Sequence, residues 1–202
     1  MPEALIDEVI FAWCTVQETF SMNFLSPVQY DEFNAFKSES RQREYVATRG
    51  LIKQMVETMD LNSEKFELQK NELGKPWGLY NDNEYRLSIA HTAGHVLCAI
   101  SPERELGVDL EPTSREVPDQ LRSRIINAQE SSLLNDEPDI RIWTIKEAIV
   151  KLQGKGMRTN LIECTITAKN GRIFSATFDD DKKARICSFE HKNNWLAIAW
   201  NS

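Results

Sequence analysis

Gly107-Val-Asp-Leu-Glu-Pro112 and, further along the chain, Trp143-Thr-Ile-Lys-Glu-Ala-Ile-Val-Lys151 are the two stretches that decide the fold. In the first stretch, apolar residues alternate with acidic ones, which is typical of a β-strand. Asp109 and Glu111 are two residues apart, so both carboxylates leave the same face of that strand. The second stretch has the periodicity of a helix instead.

The predicted helix has one polar and one apolar side. Trp143, Glu147 and Lys151 are four residues apart and share one side, and the apolar side consists of Ile142, Ile145, Ile149 and Leu152. Packing this helix beside the strand would bring three carboxylates together. Such acids repel one another unless a hard cation neutralises them, and oxygen ligands suit Mg²⁺ or Mn²⁺. Lys151 would then lie beside an anion held by the cation, such as a phosphate or pyrophosphate.

Two shorter motifs precede these stretches. Asn71-Glu-Leu-Gly-Lys-Pro76 is a predicted turn in which glycine and proline fix the backbone around Lys75. This lysine is either an anion contact or an ordinary surface cation. Ser88-Ile-Ala-His-Thr92 ends a predicted strand. His95 is four residues beyond the histidine of that strand, but a predicted turn between the two disfavours a shared metal.

The four motifs, in this order, resemble the 4′-phosphopantetheinyl transferase superfamily. Its signature is a G-[VI]-D-x-E strand followed by a W-x-x-K-E-A-x-x-K helix, and it carries N-x-x-G-K-P and S-H-S-like segments before them. The spacing is similar to that of the long, internally duplicated Sfp-type members, and the resemblance covers roughly Ser26 to Ile166. One position departs from the pattern, because Ala90 stands where Sfp-type members often have serine.

The resemblance implies an α+β fold of two similar halves with the active site in the cleft between them. Residues 1–104 would form the half that meets the adenosine and 3′-phosphate of coenzyme A. Residues 105–202 would form the metal and catalytic half. A duplicated chain can build this cleft alone, so a monomer is expected. The implied activity is Mg²⁺-dependent transfer of 4′-phosphopantetheine from coenzyme A to a serine of an apo acyl or peptidyl carrier protein, with release of 3′,5′-ADP.

The resemblance also assigns residues to roles. It implies that Asp109, Glu111 and Glu147 hold Mg²⁺, or possible Mn²⁺, and that Glu147 and Lys151 are catalytic. The implied contacts to the coenzyme are Lys75, Pro76, His91, Thr92, Lys151 and one arginine of the first-half helix. The candidates for this arginine are Arg41, Arg43 and Arg49, of which Arg43 is chosen. The most plausible basic patch for an acidic carrier protein consists of Arg122, Arg124, Lys155 and Arg158, and ordinary surface charge is the alternative for each of them.

Two other functions stay open at this point. The acid cluster could serve a different Mg²⁺-dependent phosphotransferase or hydrolase that acts on another nucleotide. The chain could also be a catalytically silent paralogue that binds carrier proteins. The complete acid set disfavours the second alternative, because a silent paralogue would be free to lose one of these charges.

Composition sets the remaining limits. The 202 residues are 41% hydrophobic and 27% charged, as expected for a soluble globular protein, and the formal charge of −7 disfavours nucleic-acid binding. No apolar run is long enough to span a bilayer, and the acidic N-terminal residues are unlike a signal peptide. Four scattered cysteines are expected to be buried thiols. A cytoplasmic location is the prediction.

Each half is predicted to begin with a strand, pass through helices and end in antiparallel strands. The apolar segment Trp195-Leu-Ala-Ile-Ala resembles Val96-Leu-Cys-Ala-Ile, as expected for a duplication. The predicted helices begin at Ser26-Pro27 and cover 38–59, 118–127 and 138–153. The predicted strands cover 8–16, 66–69, two arms within 86–100, 106–110, 164–168, 172–178, 184–190 and 195–200.

Overall fold

The computed structural model describes residues 4–6, 8–17, 22–92, 94–155, 160–179 and 181–201. Eleven strands and four α-helices occur in these residues. The first half contains β1 (Ala4–Ile6), β2 (Val9–Thr15), α1 (Pro27–Ala35), α2 (Glu39–Thr58), β3 (Glu67–Lys70), β4 (Pro76–Tyr80), β5 (Asn83–Thr92) and β6 (His95–Ser101). The second half contains β7 (Leu106–Pro112), α3 (Asp119–Ile125), α4 (Asp139–Gln153), β8 (Thr165–Asn170), β9 (Ile173–Phe178), β10 (Lys182–His191) and β11 (Asn194–Asn201).

The strands form two antiparallel sheets with the same internal order. The first sheet has the order β1-β2-β6-β5-β4-β3, and the second has the order β7-β11-β10-β9-β8. Apart from the additional strand β1, each sheet pairs its first strand with its last and continues as a meander. Strands β6 and β11 therefore occupy equivalent positions, and these are the strands whose sequences resemble each other. The prediction of an α+β fold with two similar halves is confirmed.

One long helix packs on each sheet. α2 covers the first sheet through its apolar side, which includes Leu51, Met55 and Val56. α4 covers the second sheet, and its predicted apolar residues are all buried: Ile142, Ile145, Ile149 and Leu152. The smaller α1 begins as predicted. The Ser26 hydroxyl caps it by accepting the backbone N–H of Gln29, and the Gln29 side chain accepts the backbone N–H of Ser26.

The two sheets meet through a third apolar cluster. It joins residues of the first sheet, such as Leu97, to residues of β7 and β11, such as Val108 and Trp200. A buried hydrogen bond crosses the same contact, where the backbone N–H of Val108 donates to the Ser88 hydroxyl at 2.9 Å. This bond joins β5 to β7, so the strand that carries His91 is fixed relative to the strand that carries Asp109.

Gly107 allows α4 to lie directly on the backbone of β7. A Cβ atom at this position would lie 2.1 Å from the Ala148 carbonyl oxygen and 2.3 Å from the Leu152 nitrogen. Only glycine fits such an approach of two backbones. The glycine that opens the Gly107–Pro112 stretch therefore sets the distance between this strand and the helix that carries Glu147.

The structure adds two strands that the sequence did not predict, β1 and β4. Strand β4 begins with Pro76 and includes Gly78, and both residue types are unfavourable in strand interiors. Proline is tolerated here because it is the first residue of the strand, opposite Lys70. All four cysteines are buried thiols, as expected. None of the described helices has the length and apolarity needed to cross a membrane.

Candidate active site

A cavity of about 590 Å³ lies between the two halves. The first half contributes the 73–76 turn together with Ser88 and Ile89, and the second half contributes residues of α3, α4 and the segment after α4. Glu147 and Lys151 face this cavity from α4, and Lys75 and Pro76 face it from the turn. The cavity therefore lies where the duplicated fold predicts a cleft, and it brings two pairs of predicted site residues together.

Asp109 is a buried carboxylate beside this cavity, with only 7% of its surface exposed. Its Oδ1 atom accepts a hydrogen bond from Lys151 Nζ at 2.8 Å, and its Oδ2 atom is buried without a hydrogen-bond partner. Burial raises the pKa of Asp109 to about 7; Lys151 opposes this shift, and the acids Glu111 and Glu147 add to it. Such a site favours neutralisation by a bound cation or a proton.

Glu111 and Glu147 complete the acidic group. Glu111 is ion-paired with Arg115. Burial raises the pKa of Glu147; Lys151 lowers it, Glu111 raises it and Arg115 lowers it. The three acids therefore act on one another electrostatically, with Asp109 and Glu111 on β7 and Glu147 on α4. A carboxyl group with a raised pKa beside a cavity is a candidate proton acceptor.

The residues present have the donor atoms that a divalent cation needs, but their carboxylates do not converge on one point. Within the described part of the chain, no three Asp, Glu, His or Cys side chains converge closely enough to hold a metal ion. Asp109 and Glu111 are instead engaged by Lys151 and Arg115. The unpartnered Oδ2 atom of Asp109 and the all-oxygen donor set nevertheless suit Mg²⁺ or Mn²⁺. The three-acid metal site remains a prediction.

The N-x-x-G-K-P turn connects the two halves through Lys75. The Asn71 side chain accepts the backbone N–H of Lys75 at 2.9 Å, and Gly74 has a φ of +82°, which fixes the turn. Lys75 Nζ donates to Glu105 Oε2 at 2.7 Å and to the Leu152 carbonyl oxygen at 3.1 Å. The lysine thus reaches across the cleft to the end of α4. Two of its three N–H donors are used.

His91 lies at the end of β5 and faces α2. Its Nε2 atom is 3.2 Å from the Thr48 hydroxyl oxygen. Loss of water around the ring lowers the pKa of His91; Glu44 raises it, and the positive charges of Lys151 and Arg41 lower it. The described contact of His91 is with α2, and Lys151 of α4 is close enough for its charge to act on the imidazole. Among the three candidate arginines, Arg41 is the one that acts on His91.

The other predicted contacts have different surroundings. Arg43 is largely exposed and is ion-paired with Glu39. Arg49 is mostly buried and pairs with Glu32 at 3.1 Å, under the ring of Tyr45. Thr92 is half-buried and pairs with His95 across the hairpin. Arg41 is likewise exposed and is ion-paired with Glu44. Of the three arginines, Arg41 is the one whose charge acts on the pKa of His91.

The predicted basic patch is partly neutralised. Arg122 pairs with Asp139 at 2.9 Å, and Lys155 pairs with Asp179 at 2.6 Å. Arg124 is exposed and lines the cavity. Arg158 lies outside the described residues. The patch stays a prediction, and Arg124 is the member that lies nearest to the cavity residues.

Lys146, the first lysine of the W-x-x-K-E-A-x-x-K helix, does not face the cavity. It is fully buried and ion-paired with Glu130. Glu130 also accepts the backbone N–H groups of Asn127 and Ile166. Lys146 therefore holds α4 to the preceding turn and to β8. Helical spacing alone did not reveal this role, because Glu130 lies in an irregular segment.

Comparison with known proteins defines the class. Residues 105–200 match the family model of the 4′-phosphopantetheinyl transferase superfamily. This part of the chain is similar to that superfamily, so the resemblance found in the motifs is confirmed. The matched residues contain β7, α4, β8, β9, β10 and all but the last residue of β11, and they include Asp109, Glu147 and Lys151.

Individual relatives carry the same printed name. The chain is 32% identical over 117 residues to the 4′-phosphopantetheinyl transferase gsp of Aneurinibacillus migulanus, which is 52% of this chain and 45% of that protein. It is 28% identical over 159 residues to HetI of Nostoc, 71% of this chain and 65% of the relative. It is 23% identical over 178 residues to Sfp of Bacillus subtilis, which is 84% of this chain and 78% of the relative. The matches thus cover less than two thirds of the first two relatives.

Proposed function

We propose that this protein transfers the 4′-phosphopantetheine group of coenzyme A to a serine hydroxyl of an apo acyl or peptidyl carrier protein, with Mg²⁺ or Mn²⁺ as cofactor. One observation carries the proposal. Asp109 is buried, its Oδ2 atom has no hydrogen-bond partner among the described residues, and its Oδ1 atom accepts from Lys151, which lines with Glu147 a cavity between the two halves. The match of residues 105–200 to the superfamily supports the same reaction.

Asp109 and Glu147, with Glu111 beside them, would hold the cation. A bound divalent ion would supply charge neutralisation and Lewis-acid polarisation to the pyrophosphate of the coenzyme. The side chains of β7 and α4 provide only oxygen donors for this purpose, which is the donor set that Mg²⁺ prefers. Binding of a cation would also remove the unfavourable burial of the Asp109 charge.

The chemical step needs a base and a positive charge from the chain itself. The carrier serine oxygen forms a bond to the β-phosphorus while the bond between that phosphorus and the bridging oxygen breaks, so that 3′,5′-ADP leaves. Glu147 is the candidate base that takes the serine proton, since burial raises its pKa. Lys151 Nζ can donate to the phosphate oxygens on which negative charge develops.

The first half would bind the rest of the coenzyme. His91 and Thr92 end β5 on the side of α2, and we assign them to the 3′-phosphate end together with an arginine of α2. Arg41 is a better supported choice than Arg43, because its charge reaches His91. Lys75 and Pro76 line the cavity, and the contacts of Lys75 with described residues use two of its three N–H donors, so that the third can serve a phosphate oxygen.

The expected partner is an acidic carrier protein, and Arg124 at the cavity is the contact with most support. The duplicated fold places a cleft within one chain, which supports a monomer. The formal charge of −7 gives no support to a nucleic-acid partner. A cytoplasmic location and the assignment of residues 1–104 and 105–202 to the two sides of the site belong to the same proposal.

Intact-protein mass spectrometry tests the proposal directly. The purified chain is incubated with coenzyme A, Mg²⁺ and a panel of apo carrier proteins from fatty acid, polyketide and nonribosomal peptide systems. One phosphopantetheine should be added to the serine of at least one carrier. Hydrolysis of another nucleotide without any carrier modification would favour the phosphotransferase alternative. Tight carrier binding without a mass increase would favour the silent paralogue.

A further inference from the structure

The residue Arg115 lies beside the acidic group and was not identified by any motif. We infer that Arg115 is a positioning residue that competes with the divalent cation for Glu111 and thereby sets the affinity of the acidic group for that cation. The inference rests on the proposed function, because it concerns the cation assigned there. It adds a residue of this chain that the family signature does not contain.

The backbone holds Arg115 at the end of β7. Its N–H donates to the Pro112 carbonyl oxygen at 3.0 Å, and the N–H of Thr113 donates to the Asn193 carbonyl oxygen at 2.9 Å. These bonds form a tight turn that directs the arginine back over the strand. Its guanidinium is ion-paired with Glu111, and its Cζ atom lies 5.5 Å from the centre of the Trp143 ring. Arg115 therefore bridges the second strand acid and the cavity-lining helix.

Two internal cations thus occupy the two acids of the strand. Lys151 pairs with Asp109, and Arg115 pairs with Glu111. Each pair engages one carboxylate oxygen and orients that carboxylate toward its own cation. A divalent ion that uses both carboxylates must replace these contacts, and the cost of breaking them lowers its apparent affinity. The separate engagement of the acids also accounts for the lack of a converged three-acid group among the described side chains.

The exposures indicate which partner moves. The Arg115 side chain is 50% exposed, whereas the Glu111 side chain is only 13% exposed. Arg115 can turn fully into water at little cost because half of its side chain is already hydrated, but Glu111 is confined by its surroundings. Glu111 is therefore retained at the site while Arg115 leaves it when a cation binds. Lys151 differs because it stays beside the anion that the cation holds.

Removal of the competing charge should tighten cation binding. Arg115→Gln keeps a polar side chain of similar length but has no charge to pair with Glu111. The expected change is about a fivefold lower dissociation constant for Mn²⁺, the factor that corresponds to loss of a partly exposed ion pair. Arg115→Lys retains the charge and should bind Mn²⁺ like the unmodified protein.

Electron paramagnetic resonance of free Mn²⁺ measures this affinity without any turnover. The full chain is titrated with Mn²⁺ in the absence of coenzyme A, and the two Arg115 variants are compared with Lys182→Gln. Lys182 is an exposed, ion-paired lysine of the same half. Lys182→Gln therefore changes the net charge by the same amount but at a position apart from the three acids. Tighter binding by Arg115→Gln alone supports the inference. Equal or weaker binding by Arg115→Gln, or an equal gain in Lys182→Gln, overturns it.

The outcomes separate this inference from the proposed function. If the unmodified chain binds Mn²⁺ and modifies a carrier but Arg115→Gln binds no more tightly, only the role of Arg115 is wrong. If the chain binds no Mn²⁺ and modifies a carrier in the presence of EDTA, the cation and the competition for it are both wrong, but the transfer stands. If no carrier is modified although Mn²⁺ binds more tightly to Arg115→Gln, the competition stands and the transfer is wrong.

Discussion

Gly107 and Ala148 lie in backbone contact, with too little space between them for a methyl group. A Cβ atom on Gly107 would be 2.1 Å from the Ala148 carbonyl oxygen, and backbone atoms of Lys151 and Leu152 would also lie within 3 Å. The contact sets the height of α4 above β7. Asp109 is two residues from this glycine, so the same contact sets its distance from Lys151.

Gly107→Ala should therefore separate the strand from the helix. Backbone atoms cannot move aside as a flexible side chain can, so we expect a loss of at least about 1–3 kcal/mol in the free energy of unfolding. The transfer rate of the molecules that remain folded should fall as well, because Lys151 and Glu147 move away from Asp109. Urea denaturation and the mass-spectrometric assay measure the two effects. A variant of unchanged stability and rate would contradict the close contact.

Glu147→Gln should remove transfer without unfolding the protein. The amide has nearly the same shape but accepts no proton, and loss of a general base typically lowers a rate by about 100-fold or more. Intact-protein mass spectrometry gives the rate, and circular dichroism reports the fold. The matched control is Glu163→Gln, an acid in the segment between α4 and β8. Near-normal transfer by Glu147→Gln would exclude this residue from the mechanism.

Lys75→Ala and His91→Ala should mainly weaken the binding of coenzyme A. Both are assigned to the coenzyme and neither to the reacting phosphorus, so KM should rise by more than kcat falls. Isothermal titration calorimetry with coenzyme A provides an independent affinity. Lys70→Ala, in the neighbouring exposed strand β3, is the control for loss of a positive charge. A change confined to kcat would contradict the assignment of both residues.

Asp109 should make the stability of the cation-free protein depend on pH. Its pKa is about 7 in the folded chain and 3.8 in the reference state. Between these values the folded chain binds a proton that the unfolded chain does not, so the free energy of unfolding falls as the pH rises. The loss of stability that comes from burying the ionised Asp109 is complete above its pKa in the folded chain. Asp109→Asn lacks this titration and should gain stability relative to the unmodified protein over that range.

Chemical denaturation with EDTA at about pH 5 and about pH 8 measures the effect. The advantage of Asp109→Asn should be larger at the higher pH, by about 1–3 kcal/mol for a shift of this size in a buried carboxyl group. Asp139→Asn is the control, since Asp139 pairs with Arg122 at the protein surface. The same advantage at both values would show that the pKa of Asp109 is not raised.

The helices whose apolar residues recur at helical spacing were predicted well from the sequence. The helix predicted over 138–153 is observed as Asp139–Gln153, and the one predicted over 38–59 is observed as Glu39–Thr58. Their apolar stripes decided both cases, because a buried face repeats at helical spacing. Strand β4 was not predicted, since Pro76 and Gly78 are unfavourable in strands and only pairing with β3 and β5 stabilises them.

The site was predictable only where a motif names its residues. The motifs indicated Asp109, Glu147 and Lys151, and the structure brings these three together. Arg115 and Lys146 depend on contacts between distant or irregular segments, which local spacing does not encode. Lys146 is the clearest example, because a lysine in a helix is usually exposed. Its partner Glu130 lies in a turn that has no regular pattern.

The equivalence of the two sheets also has a consequence for stoichiometry. Ala12 faces Cys98 across the β2–β6 pair as Asp109 faces Ala197 across the β7–β11 pair. The position that carries the buried acid in one repeat thus carries a methyl group in the other, packed under α2. The symmetry of the scaffold is therefore broken chemically, and the proposed function predicts a single coenzyme molecule per polypeptide.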